Sequence, residues 1–184
     1  MPHVVIAGAI HESGLSLMET RPDFTYTYLS NNDDRGYVEL IKEADALIIR
    51  TQPLTAQDIE GAKNLKIVSR HGVGYDSIDI FALEQKGILL TIVGGVNSQS
   101  VAEHTMTLML AAFKRLVRND DAVRNGQWTY RNNLESEEVW NKSLLILGYG
   151  RIGKWLMKVF DLISSEVFFY DKDEKYKSFL RFRE

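Results

Sequence analysis

Leu144-Leu145-Ile146-Leu147-Gly148-Tyr149-Gly150-Arg151-Ile152-Gly153 is the stretch that decides the fold. Four apolar residues read as a buried strand, and they run directly into G-x-G-x-x-G and a segment of helical period. In that context Gly148 permits a tight turn, Gly150 removes a side chain so that backbone can approach a diphosphate, and Gly153 lets the helix pack closely on its strand. The first N–H groups of the helix, from Arg151 to Lys154, have no intrahelical acceptor, and the helix dipole adds positive potential there. The loop is therefore an anion site that needs no basic side chain.

Downstream, a helix from Ile152 to about Leu162 leads to a second strand, Val167 to Tyr170, which ends at Asp171. A carboxylate roughly 20 residues past the glycines accepts hydrogen bonds from ribose hydroxyls and repels a 2′-phosphate, so the expected cofactor is NAD rather than NADP. Gly148, Tyr149, Gly150, Arg151, Ile152, Gly153 and Asp171 are the candidate cofactor-binding residues on this reading. A glycine triplet alone serves ordinary turns equally well; strand, loop, helix, strand and acid in order argue for a dinucleotide. Methyltransferases that use S-adenosylmethionine also place an acid after a second strand and stay open as a milder rival.

Upstream, short β-branched runs alternate with helical stretches: strands at Val4 to Ala7, Phe24 to Leu29, Ala46 to Ile49, Lys66 to Val68 and Ile88 to Val93. Helices are expected around Leu15 to Met18, near Tyr37 to Ala44, from about Thr55, and near Ile78 to Gln85. Strands separated by helices need crossover connections, which favour a parallel sheet covered on both faces. The fold class is α/β, a flavodoxin-like parallel-sheet domain followed by a partial Rossmann domain. Ser98 to about Arg124 reads as one long helix, with Val101, Thr105, Leu108 and Ala112 at helical spacing on a face expected to be buried. Residues 131–138 are polar and aperiodic, an extended connection. Lys172 to Glu184 mixes charges with Tyr176, Phe179, Leu180 and Phe182 and fits one amphipathic helix.

Composition narrows the function classes. At 184 residues, with 45% hydrophobic and 26% charged residues, the chain has the make-up of a globular protein. A net charge of -3 leaves no basic excess for nucleic acid. With no cysteine, disulfides, thiolate nucleophiles and cysteine-ligated metals are excluded, and no metal site is expected. Val4 to Ile10 lacks the flanks of a signal peptide, and Lys114 and Arg115 interrupt the best apolar run, so a cytoplasmic protein with no membrane partner is the expectation.

Arg70-His71-Gly72-Val73-Gly74-Tyr75-Asp76-Ser77-Ile78-Asp79 follows a strand, placing its glycines at the carboxyl end of a parallel sheet, where ligands bind. A second backbone anion site there competes on even terms with a plain turn capped by Asp76 or Ser77.

Taken in order, Arg70 to Asp79, Asn97-Ser98-Gln99-Ser100-Val101-Ala102-Glu103-His104-Thr105, Gly148 to Gly153 and Tyr170-Asp171 resemble the D-isomer-specific 2-hydroxyacid dehydrogenases, with the phosphoglycerate dehydrogenase branch among the nearer matches. The resemblance covers nearly all of the chain up to Asp171. It implies an NAD-dependent oxidoreductase that moves hydride between NAD(H) and a small 2-hydroxy or 2-oxo acid, a homodimer in the intact family member. It implies that Val73 and Gly74 offer N–H groups to the substrate carboxylate, that Asn97 approaches the substrate, and that Val101 and Thr105 line the nicotinamide pocket. Arg50, at the end of the third strand, matches a cleft position that adds a cation; a solvated strand-end arginine is the equal alternative. His104 matches a hinge-helix histidine that is not the catalytic one and is expected to be packed and hydrogen-bonded. None of His3, His11, His71 and His104 is assigned as a general base.

The resemblance divides the chain into a substrate domain at 1–97 without its C-terminal return segment, a hinge helix at 98–127, and a partial Rossmann NAD-binding domain at 128–184. The family's catalytic arginine, glutamate and histidine lie beyond the position matching Asp171, so no catalytic residue is assigned and a truncated chain inactive alone is expected. A non-catalytic NAD(H)-sensing or corepressor-like module and a non-functional gene remnant are the alternatives.

Overall fold

The structure, a computed structural model, describes residues 1–31, 35–161, 163, 166–173 and 180–182. It divides into two compact units, Met1–Gly94 and Gly95–Glu184.

The first unit is built on β1 (His3–Ala7), β2 (Thr25–Leu29), β3 (Ala46–Ile49), β4 (Ile67–Arg70) and β5 (Leu89–Ile92), all parallel and ordered β2-β1-β3-β4-β5. This is the flavodoxin-like order, and its switch point lies between β1 and β3. Between the strands run α1 (Glu12–Glu19), α2 (Tyr37–Leu40), α3 (Ala56–Gly61) and α4 (Ile80–Gln85). Val5, Ala7, Leu47, Ile49 and Val68 are buried in the sheet against Tyr37, Ile41, Ile59 and Leu83 of the helices. The start of α3 shows why its sequence folds as it does: the Thr55 hydroxyl accepts from Asp58 N–H while Asp58 accepts from Thr55 N–H, a reciprocal cap.

The second unit contains α5 (Ser98–Phe113), α6 (Leu116–Arg124), a 3₁₀ turn at Trp128–Asn133, β6 (Ser143–Leu147), α7 (Arg151–Phe160), β7 (Glu166–Tyr170) and β8 (Leu180–Phe182). β6 and β7 are parallel, and β8 runs antiparallel to β7. Ile146, Val167 and Phe169 pack with Met157 and Phe160 of α7 and with Met106, Met109 and Phe113 of α5. Leu145 and Leu147, on the opposite face of β6, are exposed.

Three expectations are corrected. The stretch read as one helix from Ser98 to Arg124 is two, because Arg115 adopts φ 51° in the left-handed region and the chain turns there. The inward face of α5 carries Ser98, Ala102, Met106 and Met109, while Val101 and Leu108 are exposed and so is His104; small and flexible side chains, not the β-branched ones, fit against β6 and α7. Leu180–Phe182 is a strand where an amphipathic helix was expected over Lys172 to Glu184: the open edge of β7 offers unpaired backbone groups, and satisfying them outweighs a weak local helix preference. Tyr176 and Phe179 of that expectation lie outside the described residues.

Candidate functional site

In the second unit, Gly148 leaves β6 with φ 101°, a conformation that disfavours any side chain, and its N–H donates to the Tyr170 carbonyl at 2.7 Å. The next N–H, of Tyr149, donates to the Asp171 carboxylate at 2.6 Å. The phenol ring turns away from the loop. It stacks on Phe169 with centroids 4.0 Å apart, and its hydroxyl reaches the Met157 sulfur at 3.2 Å, so Tyr149 serves the loop through its main chain.

Gly150 precedes α7 without any side-chain cap, and its N–H meets no acceptor among the described residues. No atom lies within 4 Å of where a Cβ would stand on Gly148 or Gly150, so the concave side of the loop is open. A Cβ on Gly153, by contrast, would overlap the Gly148 carbonyl oxygen. The first glycine thus makes the turn, the second leaves open space and the third lies tightly against the strand end. Arg151 and Ile152 fall in the first turn of α7, where N–H groups have no intrahelical partner.

Asp171 stands at the end of β7. Its carboxyl is held below the usual carboxylate range, first by the Asp173 N–H at 3.0 Å, then by the Tyr149 N–H, with Lys172 adding a smaller effect against the opposing cost of burial. It is ionised at neutral pH, and a carboxylate with roughly four lone-pair sites can take further donors. The open loop, its outward N–H groups and this anion fit the diphosphate and ribose of a dinucleotide.

Asn97, Val101 and Thr105 lie at the start of α5. Asn97 is exposed and makes no capping bond, Val101 is exposed, and the half-buried Thr105 donates its hydroxyl to the Val101 carbonyl at 2.8 Å.

In the first unit Arg50, at the carboxyl end of β3, donates to the Ala9 carbonyl at 3.0 Å. Arg70, at the end of the adjacent strand β4, was quoted in the sequence motif but given no role. Its Nε donates to the Gly74 carbonyl at 3.0 Å and a terminal nitrogen to the His71 carbonyl at 3.2 Å, so the guanidinium braces the loop from inside. Burial first, and the nearby Arg50 charge second, push its pKa below the ordinary arginine value. Two cations thus stand at neighbouring strand ends, and Arg70 is bonded to the loop of Val73 and Gly74, whose N–H groups meet no protein acceptor among the described residues. The signal for Arg70 was available: parallel register sets Ile49 opposite Arg70, so residues 50 and 70 end neighbouring strands.

Among the described residues no cluster of histidine and carboxylate groups has metal-ligand geometry, and no helix is long and apolar enough to cross a membrane.

Residues 4–178 match the sequence profile described as D-isomer specific 2-hydroxyacid dehydrogenase, catalytic domain. D-3-phosphoglycerate dehydrogenase of Methanocaldococcus jannaschii is 31% identical over 93% of this chain and 32% of its own length. Glyoxylate reductase of Thermofilum pendens is 32% identical over 95% of this chain and 53% of its own. The chain therefore spans about a third to a half of the length of these relatives. Among solved structures, the TT0316 protein from Thermus thermophilus superposes with a TM-score of 0.84 at 23% identity, covering 92% of this chain and 56% of that one. NAD-dependent formate dehydrogenase from Staphylococcus aureus, in complex with NAD, gives 0.79 at 24% identity, covering 99% and 61%. The structural matches show the fold, and the profile match over nearly the whole length shows the family: the chain belongs to the D-isomer specific 2-hydroxyacid dehydrogenases.

Proposed function

We propose that this chain binds NAD(H) and a small 2-hydroxy or 2-oxo acid as part of an NAD-dependent oxidoreductase. The observation that carries the reading is the tether between Asp171 and Tyr149 N–H, which holds an ionised carboxylate beside an open glycine loop. Gly148, Gly150 and Gly153 shape that loop, while the N–H groups of Gly150, Arg151 and Ile152 take the diphosphate. Asp171 accepts from the ribose hydroxyls and repels a 2′-phosphate, which favours NAD over NADP. When bound, the cofactor supplies or accepts a hydride.

The acid's carboxylate is held by the N–H groups of Val73 and Gly74, with Arg50 and Arg70 as flanking cations; two fixed positive charges make an acidic substrate the natural occupant. Asn97 contacts the substrate and Val101 and Thr105 face the nicotinamide. On this reading residues 1–97 form the substrate domain, 98–127 the hinge and 128–184 the cofactor side.

A homodimer is the expected assembly. Val117, Val123, Trp128 and Leu134 carry exposed apolar surface along α6 and the turn that follows it, which supports burial against a second copy. Sedimentation of the chain as a monomer at every concentration would count against it.

Calorimetry with NADH, ADP-ribose and NADPH tests the cofactor assignment. Binding of the first two with weaker binding of NADPH is expected; no heat from a folded sample with any of the three would end the proposal.

A further inference from the structure

A second cationic site lies on the flank of α7. Arg151, Lys154 and Lys158 stand three and four residues apart, which stacks them along one side of the helix. Together with Trp155, Gly95 and Ser98 they line a cleft of about 300 Å³ with no acidic side chain among its lining residues. Neither Arg151 nor Lys158 has a carboxylate partner among the described residues. In a chain of net charge -3, three cations gathered around one cavity make a local field of the opposite sign to the molecule's own.

Two features show that the cleft is shaped rather than a chance run of surface charge. Ser98 is only 5% exposed, yet it lines the cleft, and its hydroxyl has no hydrogen-bond partner among the described residues. That hydroxyl still reaches the open cleft rather than being sealed in the interior, so it can donate to a ligand there. Arg151 is also set in place: Gly95, at φ 81°, brings its backbone against the side chain, where an added Cβ would stand 3.2 Å from the Arg151 Cδ. Ser98 opens the sixteen-residue helix α5, whose first turn has no side-chain cap, so main-chain donors lie beside the same cleft. The Lys158 ammonium sits over the Trp155 ring at 5.1 Å, which fixes the far wall.

We propose that this cleft is an anion site for inorganic phosphate or a phosphate monoester, separate from the glycine loop. The Ser98 hydroxyl donates to a phosphate oxygen, Arg151 and Lys158 close on it from two sides, and Lys154 adds charge. The site shares Arg151 with the cofactor reading, using its side chain where the diphosphate would use its N–H, and it leaves Asp171 and the Gly148 to Gly150 loop free.

The full chain is titrated calorimetrically with inorganic phosphate and with glycerol 3-phosphate, ionic strength being held constant with sodium chloride. Saturable binding is expected, weakened at least fivefold by Lys158→Gln and by Ser98→Ala, and unchanged in the presence of saturating ADP-ribose. Tighter binding of the ester assigns the site to phosphorylated metabolites, and tighter binding of the free ion assigns it to phosphate itself. The proposal is overturned if no binding exceeds the chloride control, if both variants bind as the parent does, or if ADP-ribose displaces phosphate, which would place the ion on the glycine loop. Lys158 is solvent-facing, so its variant folds and keeps the test decisive even if Ser98→Ala disturbs α5.

Discussion

The Asp171 carboxylate accepts the N–H of Tyr149 at 2.6 Å, so the end of β7 is tied to the loop that leaves β6. On the proposed function one group has two duties: it fixes the loop and it presents negative charge to the ribose. Asp171→Asn separates them, since an amide oxygen can still accept from Tyr149 but carries no charge. NADH affinity is expected to fall about tenfold, in the range of one hydrogen bond to a charged group. NADPH should lose less, so the preference between the two narrows. Calorimetry with both nucleotides checks this, and an unchanged ratio would remove Asp171 from the ribose.

Gly153 is constrained by packing, not by its dihedral angles, because a Cβ there would run into the Gly148 carbonyl. Gly153→Ala must push α7 away from β6, an overpacking that costs about 1–3 kcal/mol. The urea midpoint should drop with the slope unchanged, and cofactor affinity should drop with it. Gly126→Ala is the contrasting case: nothing lies within 4 Å of the added carbon, and the cost there comes from φ 72° alone.

Most of the layer order was legible because it depends on period and on turn chemistry, both local. Ala46–Ile49 emerges with the bounds read from its β-branched run, and Thr55 begins α3 through a cap that the sequence spells out. What was not legible depends on partners distant in sequence. The break at Arg115 has no glycine or proline to announce it, and the strand at Leu180–Phe182 exists only because β7 has an edge to offer. At the site, the turn at Gly148 and the close packing at Gly153 could be read from the glycine spacing. Arg70 was passed over because its importance comes from lying beside Arg50 on the neighbouring strand, a relation that needs the sheet register.

Asp58 offers a pH test within the first unit. It is 7% exposed, and burial alone would raise its pKa; the Thr55 N–H and hydroxyl, followed by Arg35 at 2.9 Å, outweigh this and hold it below the usual carboxylate value. A depressed folded-state value means the contribution is fully present above the unfolded value, about pH 4, and is lost as pH falls through the folded one. Asp58→Asn should cost about 1–2 kcal/mol at neutral pH, a figure reduced because Arg35 is half exposed. It should also flatten the acid limb of the melting-temperature profile. A variant that melts lower by the same amount at every pH would show that the charge is not what matters.

Arg50 and Arg70 end adjacent strands with no salt bridge to either among the described residues, and after burial the Arg50 charge raises the cost of keeping Arg70 charged. An anion bound at Val73 and Gly74 relieves that repulsion, and its binding should stabilise the fold by mass action. Oxalate, a planar mimic of a 2-oxo acid, is therefore expected to raise the melting temperature of the parent at low ionic strength and to do so less at high salt. Arg70→Met removes one cation together with the brace on the Gly74 and His71 carbonyls, and oxalate affinity should fall about tenfold. Arg50→Met, which leaves that brace in place, should fall less. The double variant should lose less than the sum of the two, because removing either arginine already relieves the repulsion felt by the other. Strict additivity, or an oxalate effect that survives both substitutions, would show that the acid is held elsewhere.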